Sequence, residues 1–179
     1  MLEGKTVNLK ILEKEDLPLF AEWVNNPEFL GEYNPLRQTS KTDIERNYEK
    51  NIFEQGEFII EKKDGSKIGY IWHFSMTHPA AKLLEIGYFM VSSETCKGYC
   101  SEAANIMVDY LFLSKNIVRI QAHTDCRNAA SQKVLEKAGF RKEGIVRKLL
   151  FNRGEWRDAC LYSILREEWK EPKILTRTE

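Results

Sequence analysis

The chain lacks the features of a secreted, membrane-spanning or nucleic-acid-binding protein. Lys plus Arg and Asp plus Glu both number 27 among 179 residues, so no overall field favours nucleic acid or an anionic membrane as a partner. The sequence has no run approaching the roughly 20 apolar residues of a membrane span. Its N-terminus, MLEGKTVNLK, has no basic region followed by an apolar stretch. These absences favour a cytoplasmic protein.

Cysteine is also scarce, with four residues in the chain. Because there is no secretion signal, Cys96, Cys100, Cys126 and Cys160 are expected to be free thiols rather than a disulfide framework. The first three, together with His123, also suggest zinc, because a parallel crossover would bring their two loops together. The Cys-x3-Cys and His-x2-Cys spacings match no zinc-finger pattern, so we expect no metal.

The hydrophobic content of 42% is enough for one core and too little for two stable domains. We therefore expect a single domain over residues 1–170 and a polar tail over 171–179 that frays. Apolar periodicity predicts the α/β (α+β) class, a mixed and mostly antiparallel twisted sheet with the order βααβββαβαββ. A long helix between the strands at 83–91 and 117–123 predicts a right-handed parallel βαβ crossover. The other predicted elements are strands at 6–11, 57–62, 67–76, 140–151 and 158–165 and helices at 16–26, 40–55, 101–115 and 128–139.

One loop has the features of an anion site. In LLEIGYFMVSSETCKGYCSEA an apolar strand leads into a short polar loop and then directly into a helix. The first-turn amides of such a helix lack partners and carry the positive end of the helix dipole, which suits a phosphate. Gly98 would let the backbone approach closely, and Lys97 would add a positive charge. From the residues alone, a plain strand-to-helix turn is the alternative.

Two stretches resemble motifs of the GNAT superfamily of acetyltransferases. The first is ETCKGYCSEA, which is similar to the pyrophosphate loop Arg/Gln-x-x-Gly-x-Gly/Ala and its following Ser/Thr-Glu-Ala. The second is RNAASQKVLEKAGFRKEGIVRK, which is similar to Asn-x-x-Ser followed by a helix and Lys-x-Gly-Phe. The resemblance covers residues 2–169, and Leu135 with a C-terminal Asp-x-x-x-Tyr pattern is similar to the RimJ/RimL-like branch, which acetylates ribosomal-protein N-termini. The chain departs from the first motif at Thr95, Cys96 and Cys100, where a cysteine fits if the backbone is helical or extended.

The resemblance implies acetyl-coenzyme A (acetyl-CoA) as the cosubstrate. One strand would splay from its parallel neighbour and expose backbone to the pantetheine, at Phe89, Met90 and Val91. The loop amides would hold the pyrophosphate, at Cys96, Lys97, Gly98, Tyr99, Cys100 and Ser101. On the second-motif helix, Asn128 would reach the pantetheine arm while also capping the helix, and Lys133 would either contact the cofactor or solvate the helix.

Acetyl transfer to an amine needs a neutral nucleophile, a donor for the developing oxyanion and a proton for the departing thiolate. Glu85 is the candidate base, with an ordinary polar residue at a strand end as the alternative. The resemblance implies a backbone N–H near Met90 as the oxyanion donor. Leu135 occupies the place where many relatives have a tyrosine acid. Ser131 is therefore the candidate donor to the coenzyme sulfur, with a solvated helix residue as the alternative.

We therefore expect an N-acetyltransferase that acts on a primary amine by direct transfer in a ternary complex, with a protein N-terminus as the favoured acceptor. The alternatives are a small-molecule amine, such as a polyamine or an aminoglycoside, and a noncatalytic coenzyme A-binding module. The loop at 28–39 would shape the acceptor site, where Glu28 and Glu32 would attract a cationic amine. Tyr33 and Trp72 are assigned to packing, and monomer and homodimer are both open.

Overall fold

The computed structural model describes residues 1–50, 56–78 and 81–175. The strands are β1 (Leu2–Glu3), β2 (Val7–Ile11), β3 (Gly56–Lys62), β4 (Lys67–His78), β5 (Ala81–Met90), β6 (Arg119–Asp125), β7 (Arg141–Asn152) and β8 (Glu155–Leu165). The helices are α1 (Leu17–Asn25), α2 (Pro27–Leu30), α3 (Lys41–Glu49), α4 (Tyr99–Ser114) and α5 (Ala129–Ala138). All the strands belong to one sheet with the order β1-β2-β3-β4-β5-β6-β8-β7.

The mixed α/β fold and the parallel crossover predicted from the sequence are confirmed. β5 and β6 are parallel and α4 connects them, whereas the other strand pairs of the described sheet are antiparallel. Two short elements are additional, the two-residue strand β1 and the helix α2. Asn26 was predicted to end a helix, but its side chain also accepts hydrogen bonds from the amides of Glu28 and Phe29. It therefore caps a second helix, α2.

β5 and β6 pair over only a short length. Residues Leu83–Glu85 lie opposite Arg119–Gln121, and the parallel pairing stops there. Each strand continues beyond this point, β5 to Met90 on β4 and β6 to Asp125 on β8. The two strands therefore diverge, as the resemblance implied, and the edge of β5 that faces β6 presents backbone groups without a strand partner.

Helices cover both faces of the sheet. α4 and α5 pack on one face, where Ile106, Met107 and Leu111 have no exposed surface. α1 and α3 pack on the other face, against Ile59 of β3 and Tyr70 of β4. Because a fully buried aliphatic side chain contributes about 1.5–3 kcal/mol, these contacts hold the diverging strands rigidly from both sides. Across the described ranges, no helix has both the length and the apolar character needed to cross a membrane.

The buried carboxylate of Asp109 in α4 binds the C-terminal segment. Asp109 is 1% exposed and accepts hydrogen bonds from the Trp169 indole and from the amides of Lys173, Ile174 and Leu175. The segment after residue 170 was expected to fray, but as far as residue 175 it is held against the core, because it supplies the donors that this carboxylate needs. Residues 176–179 lie outside the described residues, as does the predicted end of the second helix at 51–55.

The expectation that the cysteines are free thiols is wrong for one pair. Cys126 and Cys160 form a disulfide, with their Cα atoms 5.1 Å apart. The pairing of β6 with β8 explains this contact. Thr124 of β6 lies opposite Cys160 of β8, and Cys126, which directly follows β6, therefore lies close to Cys160. The expectation of free thiols was based on the lack of a secretion signal, which carries no information about a contact between residues 34 positions apart. Cys96 and Cys100 are free.

Candidate active site

The predicted pyrophosphate loop connects β5 to α4 through a 3-10 turn at Ser92–Glu94. Gly98 precedes the first residue of α4 with φ of 90°, a left-handed conformation that glycine adopts without strain. A Cβ placed on Gly98 would meet no atom within 4 Å, so the backbone there faces open space. Cys96 also has a positive φ of 61°, so the condition under which a cysteine fits without strain, a helical or extended backbone, is not met at this position. A left-handed residue with a side chain costs about 1–2 kcal/mol, so the loop is strained at that position.

A cleft of about 450 Å³ opens beside this loop, between β5, α4 and α5. The structure brings most of the predicted cofactor-binding residues to its walls, namely Phe89, Met90, Cys96, Gly98, Tyr99, Cys100, Ser101, Asn128, Ser131 and Lys133. Two predicted residues do not line the cleft. Val91 packs against the apolar cluster of α1 and α3, and the Lys97 Nζ lies 3.1 Å from a carboxylate oxygen of Glu94. The backbone of Val91 is also occupied, because its amide donates to the Ile68 oxygen at 2.8 Å and its oxygen accepts from the Glu94 amide at 2.9 Å, contrary to the predicted hydrogen bonding with pantetheine.

The N-terminus of α5 forms the inner end of the cleft. Asn128 caps the helix, because its Oδ1 accepts a hydrogen bond of 3.0 Å from the Ser131 amide. The Ser131 hydroxyl lies 2.9 Å from the hydroxyl of Tyr88, which reaches across from β5. Burial raises the pKa of Tyr88, so its phenol is neutral and able to donate a hydrogen bond. Sequence reasoning missed Tyr88 because nothing in the local pattern pairs it with a helix 43 residues away.

Leu135 was noted as the residue in the place of the usual tyrosine acid. It is 1% exposed and belongs to the apolar core, so it takes no part in proton transfer. The phenol nearest the candidate sulfur-binding residue Ser131 is therefore supplied by Tyr88 of β5. A hydroxyl pair thus stands at the inner end of the cleft, and either oxygen of the pair can be the donor.

A second cavity, of about 240 Å³, lies where β5 and β6 diverge. Tyr88, Asn128 and Ser131 line both this cavity and the cofactor cleft, so the two spaces meet at the hydroxyl pair. Glu85 and His123 lie on the other side of the same cavity, on β5 and β6. The two spaces therefore adjoin at the divergence, with the hydroxyl pair between them and the titratable side chains Glu85 and His123 on the side of the second cavity.

Glu85 is held by two neighbours on β6. The His123 Nδ1 is 3.1 Å from both carboxylate oxygens, and the Gln121 Nε2 donates to one of them at 3.0 Å. Burial pulls the pKa of Glu85 upward, but the hydrogen bonds from His123 and Gln121 outweigh it, and the pKa lies below its ordinary value. The carboxylate is therefore ionised and already occupied. Sequence reasoning found Glu85 but did not connect it with His123, which it had considered only as a metal ligand.

An aromatic chamber of about 770 Å³ lies beside this cavity, on the face covered by α1 and α3. Its aromatic lining consists of Phe20, Tyr48, Tyr70, Trp72, Phe74 and Phe89. Trp72 and Phe74 also line the cavity at Glu85, so the two spaces are adjacent. Trp72 was assigned to packing alone, but it forms a shared wall, and Gly87 is required beside it because a Cβ there would overlap the indole ring.

Glu57 is the acidic residue of the aromatic chamber. Burial raises the pKa of Glu57, and a hydrogen bond from Tyr70 only partly opposes this rise. In the described part of the chain, no Lys or Arg forms a salt bridge with Glu57. The chamber thus combines aromatic side chains with one carboxyl group that a cationic ligand could ionise, and the side chain of Arg37 also lines it.

The loop expected to shape the acceptor site is fastened to the C-terminal hairpin. The backbone oxygen of Glu32 accepts hydrogen bonds from the side chains of Asn152 and Arg157, at 2.8 and 3.0 Å. Glu28 lines the cofactor cleft and Tyr33 lines both the cleft and the cavity at Glu85. The loop therefore lies at the junction of the two spaces. Tyr33, which had been assigned to packing, is part of their wall.

The zinc ligands considered from the sequence are not assembled. Cys126 is bonded to Cys160, and His123 is hydrogen-bonded to Glu85. Among the residues that the structure describes, no group of three or more His, Cys, Asp or Glu side chains is arranged to hold a metal ion.

Comparison with known proteins identifies the family. Residues 7–141 match the model of the acetyltransferase (GNAT) domain. The probable N-acetyltransferase YjcK of Bacillus subtilis is 33% identical over 178 residues, which cover 92% of this chain and 97% of that protein. The crystal structure of ribosomal-protein-S5-alanine acetyltransferase from Vibrio fischeri has a TM-score of 0.79 at 26% identity and covers 94% of this chain and 97% of its own.

A further solved structure agrees in fold. The spermidine N-acetyltransferase of Vibrio cholerae, in complex with CoA and spermine, has a TM-score of 0.82 at 23% identity and covers 92% of this chain and 98% of its own. These matches favour an enzyme over the noncatalytic coenzyme A-binding module that the sequence left open. Together with the cleft and the diverging strands, they show that the chain belongs to the GNAT acetyltransferase family and is an acetyl-CoA-dependent N-acetyltransferase.

Proposed function

We propose that this protein transfers the acetyl group of acetyl-CoA directly to the amine at the N-terminus of a protein, within a ternary complex. The observation that carries this proposal is the meeting of two spaces at Tyr88 and Ser131. A cofactor cleft lies on one side of this pair and a cavity with ionisable groups on the other. An amine entering from the second space would reach a thioester presented from the first, so no acyl-enzyme intermediate is required.

The cofactor would be held mainly by backbone donors. The amides from Cys96 to Ser101, at the N-terminus of the 16-residue helix α4, suit the pyrophosphate because the helix dipole and the unpaired N–H groups act together. The unpaired edge of β5 that ends at Phe89 and Met90 suits the amides of pantetheine. Asn128 and Lys133 line the opposite wall from α5.

Each chemical requirement has a candidate group at the junction. The Met90 amide is the proposed oxyanion donor as the C–N bond forms. Ser131, supported by Tyr88, would donate to the sulfur as the C–S bond breaks and the thiolate takes a proton. Glu85 lies at the acceptor end, where it would promote loss of the amine proton.

A protein N-terminus is the favoured acceptor because the cavity at Glu85 is small and lies beside the larger aromatic chamber, with which it shares the side chains of Trp72 and Phe74. A single primary amine fits the smaller space, and the side chains that follow it fit the larger one. The relative that acts on a ribosomal protein supports the same class of acceptor.

A polyamine is the second candidate, and Glu57 favours it. Glu57 lies opposite Trp72, and Trp72 lies opposite Gly87, so these three residues share one face of the sheet. Glu85 is two residues before Gly87 on the same strand and therefore lies on that face as well. With strands about 4.8 Å apart and about 3.3 Å per residue, their Cα atoms are about 12 Å apart. A diamine with one amine at each carboxyl group would fit this spacing.

Thiol release tests both candidates. The purified protein is incubated with acetyl-CoA and, separately, with peptides that have free or blocked N-termini, spermidine and an aminoglycoside. We expect release and a mass gain of one acetyl group with free N-termini only. Turnover of spermidine without turnover of any peptide would replace the first candidate by the second, and Glu57→Gln should then raise the KM for spermidine. Absence of turnover with every amine would contradict the proposed function.

We place the reaction in the cytoplasm, where acetyl-CoA is made and used. Reducing thiols in that compartment oppose disulfides, so Cys126 and Cys160 would be reduced during at least part of the protein's life. Mass spectrometry after rapid alkylation of intact cells measures the fraction of the pair that is bonded.

A further inference from the structure

His123 lies beside Glu85 in the wall of the acceptor cavity. Its side chain is 18% exposed and that of Glu85 is 15% exposed, and both line the space where β5 and β6 diverge. Nδ1 of His123 is engaged by the two oxygens of Glu85 at 3.1 Å. No hydrogen bond from the described part of the chain reaches Nε2, which leaves this nitrogen for a ligand or solvent.

The surroundings of Glu85 make it a poor direct acceptor of a proton from the substrate. Both oxygens are approached by His123 and one also accepts from Gln121, so the carboxylate has few free lone pairs toward the cavity. A carboxylate that stays ionised well below neutral pH binds the proton of an ammonium ion only weakly. Its position does suit another task, because a carboxylate at Nδ1 fixes the imidazole with its lone pair on Nε2.

We propose that His123 is a further catalytic residue, the base that takes the proton of the acceptor amine, and that Glu85 is the residue that positions it. This proposal rests on the proposed function. The neutral imidazole donates from Nδ1 to Glu85 and accepts the amine proton at Nε2, while the amine nitrogen bonds to the acetyl carbon. The carbon–sulfur bond breaks while the hydroxyls of Ser131 and Tyr88 donate hydrogen bonds to the departing thiolate. The imidazolium then releases its proton to solvent and the thiolate takes a proton from solvent, so both hydroxyls keep their own protons.

The other charged groups around His123 are already paired. Asp125 of the same strand lies beside Arg127 and Arg157, each with a nitrogen 3.3 Å from its carboxylate. Arg119 makes a bidentate contact with Glu143 of β7 at 2.6 and 2.7 Å and is connected to Glu85 only through Gln121. Leu161 of β8 lies opposite His123, and the neutral phenol of Tyr33 lines the cavity from the loop. Glu85 is thus the carboxylate in direct contact with the imidazole.

Two variants separate the roles of the pair. In His123→Asn the side-chain amide reproduces a donor to Glu85 but has no basic nitrogen, and in Glu85→Gln the imidazole stays while its partner loses its charge. The rate with saturating acetyl-CoA and an acceptor turned over by the wild type is measured from pH 5 to pH 10, with CoA affinity and thermal stability followed in parallel. The affinity and stability readings detect misfolding.

We expect His123→Asn to lower kcat/KM for the acceptor by about 100-fold or more near neutral pH and to abolish the acid limb of its pH profile. Glu85→Gln should lower the rate by about tenfold and keep an acid limb, because the base is still present. The reverse pattern, with the limb lost in Glu85→Gln and kept in His123→Asn, would overturn the proposal and make Glu85 the base. An unchanged profile in both variants would also overturn it, while a wild type inactive on every amine would instead defeat the proposed function.

Discussion

Replacement of Gly98 by alanine tests the pyrophosphate loop, and a second glycine provides a control. Gly98 has φ of 90° and Gly65, in the turn between β3 and β4, has φ of 84°. At neither position would a new Cβ meet an atom within 4 Å. Both substitutions should therefore cost the same backbone strain, about 1–2 kcal/mol in the free energy of unfolding, and no steric clash within the protein.

The two variants should differ in binding CoA. At Gly98 the open space is the proposed position of the pyrophosphate, and a methyl group there would push a phosphate oxygen away from the backbone donors. Loss of one charge-assisted hydrogen bond costs about 1.5–3 kcal/mol. This corresponds to a dissociation constant that is about 10- to 150-fold weaker.

Isothermal titration calorimetry with CoA and urea denaturation measure the two effects separately. We expect Gly65→Ala to bind CoA like the wild type and Gly98→Ala to bind it at least tenfold more weakly, although the two lose similar stability. Equal CoA affinities of the two variants would refute the placement of the pyrophosphate at this loop.

Three further predictions concern the cleft, the core and acid stability. Ser131→Ala should lower kcat about tenfold with little change in CoA affinity, because it removes one hydrogen bond to the departing thiolate; stopped-flow thiol release measures this. Asp109→Ala should lower the free energy of unfolding by about 3–5 kcal/mol, because the Trp169 indole and the three amides of the C-terminal segment lose their hydrogen-bond acceptor. Limited proteolysis should then cut that segment faster. Hydrogen bonding from Arg119 lowers the pKa of Glu143 from 4.5 to about 2, so its stabilising contribution is present above pH 4.5 and is lost as the pH falls toward 2. Urea midpoints across this range should fall less steeply in Glu143→Gln than in the wild type.

Most of the fold could be predicted because its signals are local. The alternation of apolar residues in β2 and the helical periodicity of α4 and α5 can be recognised within short stretches of sequence. The crossover follows from a long helix between two strands. Two-residue β1 and four-residue α2 are too short to show a period. β1 exists because β2 supplies its hydrogen bonds, and α2 exists because the side chain of Asn26 caps it.

The candidate site was predictable where a motif is continuous and not where it joins remote strands. Gly98 and Asn128 are recognisable because a turn and a helix cap need particular residues at particular positions. The contact of Glu85 with His123 depends on the parallel register, which places Glu85 opposite Gln121. The contact of Tyr88 with Ser131 depends on the opposite face of the same strand. Neither the register between two strands nor the helix that packs on a given face of a strand can be inferred from a short stretch of sequence.

The short pairing of β5 with β6 has a consequence for the stability of the whole protein. Where β5 and β6 diverge, the edge of β5 lacks the hydrogen bonds that a neighbouring strand would make. Pantetheine has amide groups of its own and would supply hydrogen bonds to this edge. A ligand that binds only the folded chain stabilises it by an amount that grows with the logarithm of its concentration. The lifetime of this enzyme in a cell should therefore follow the supply of its acyl donor, so that starved cells would lose the protein as well as its substrate.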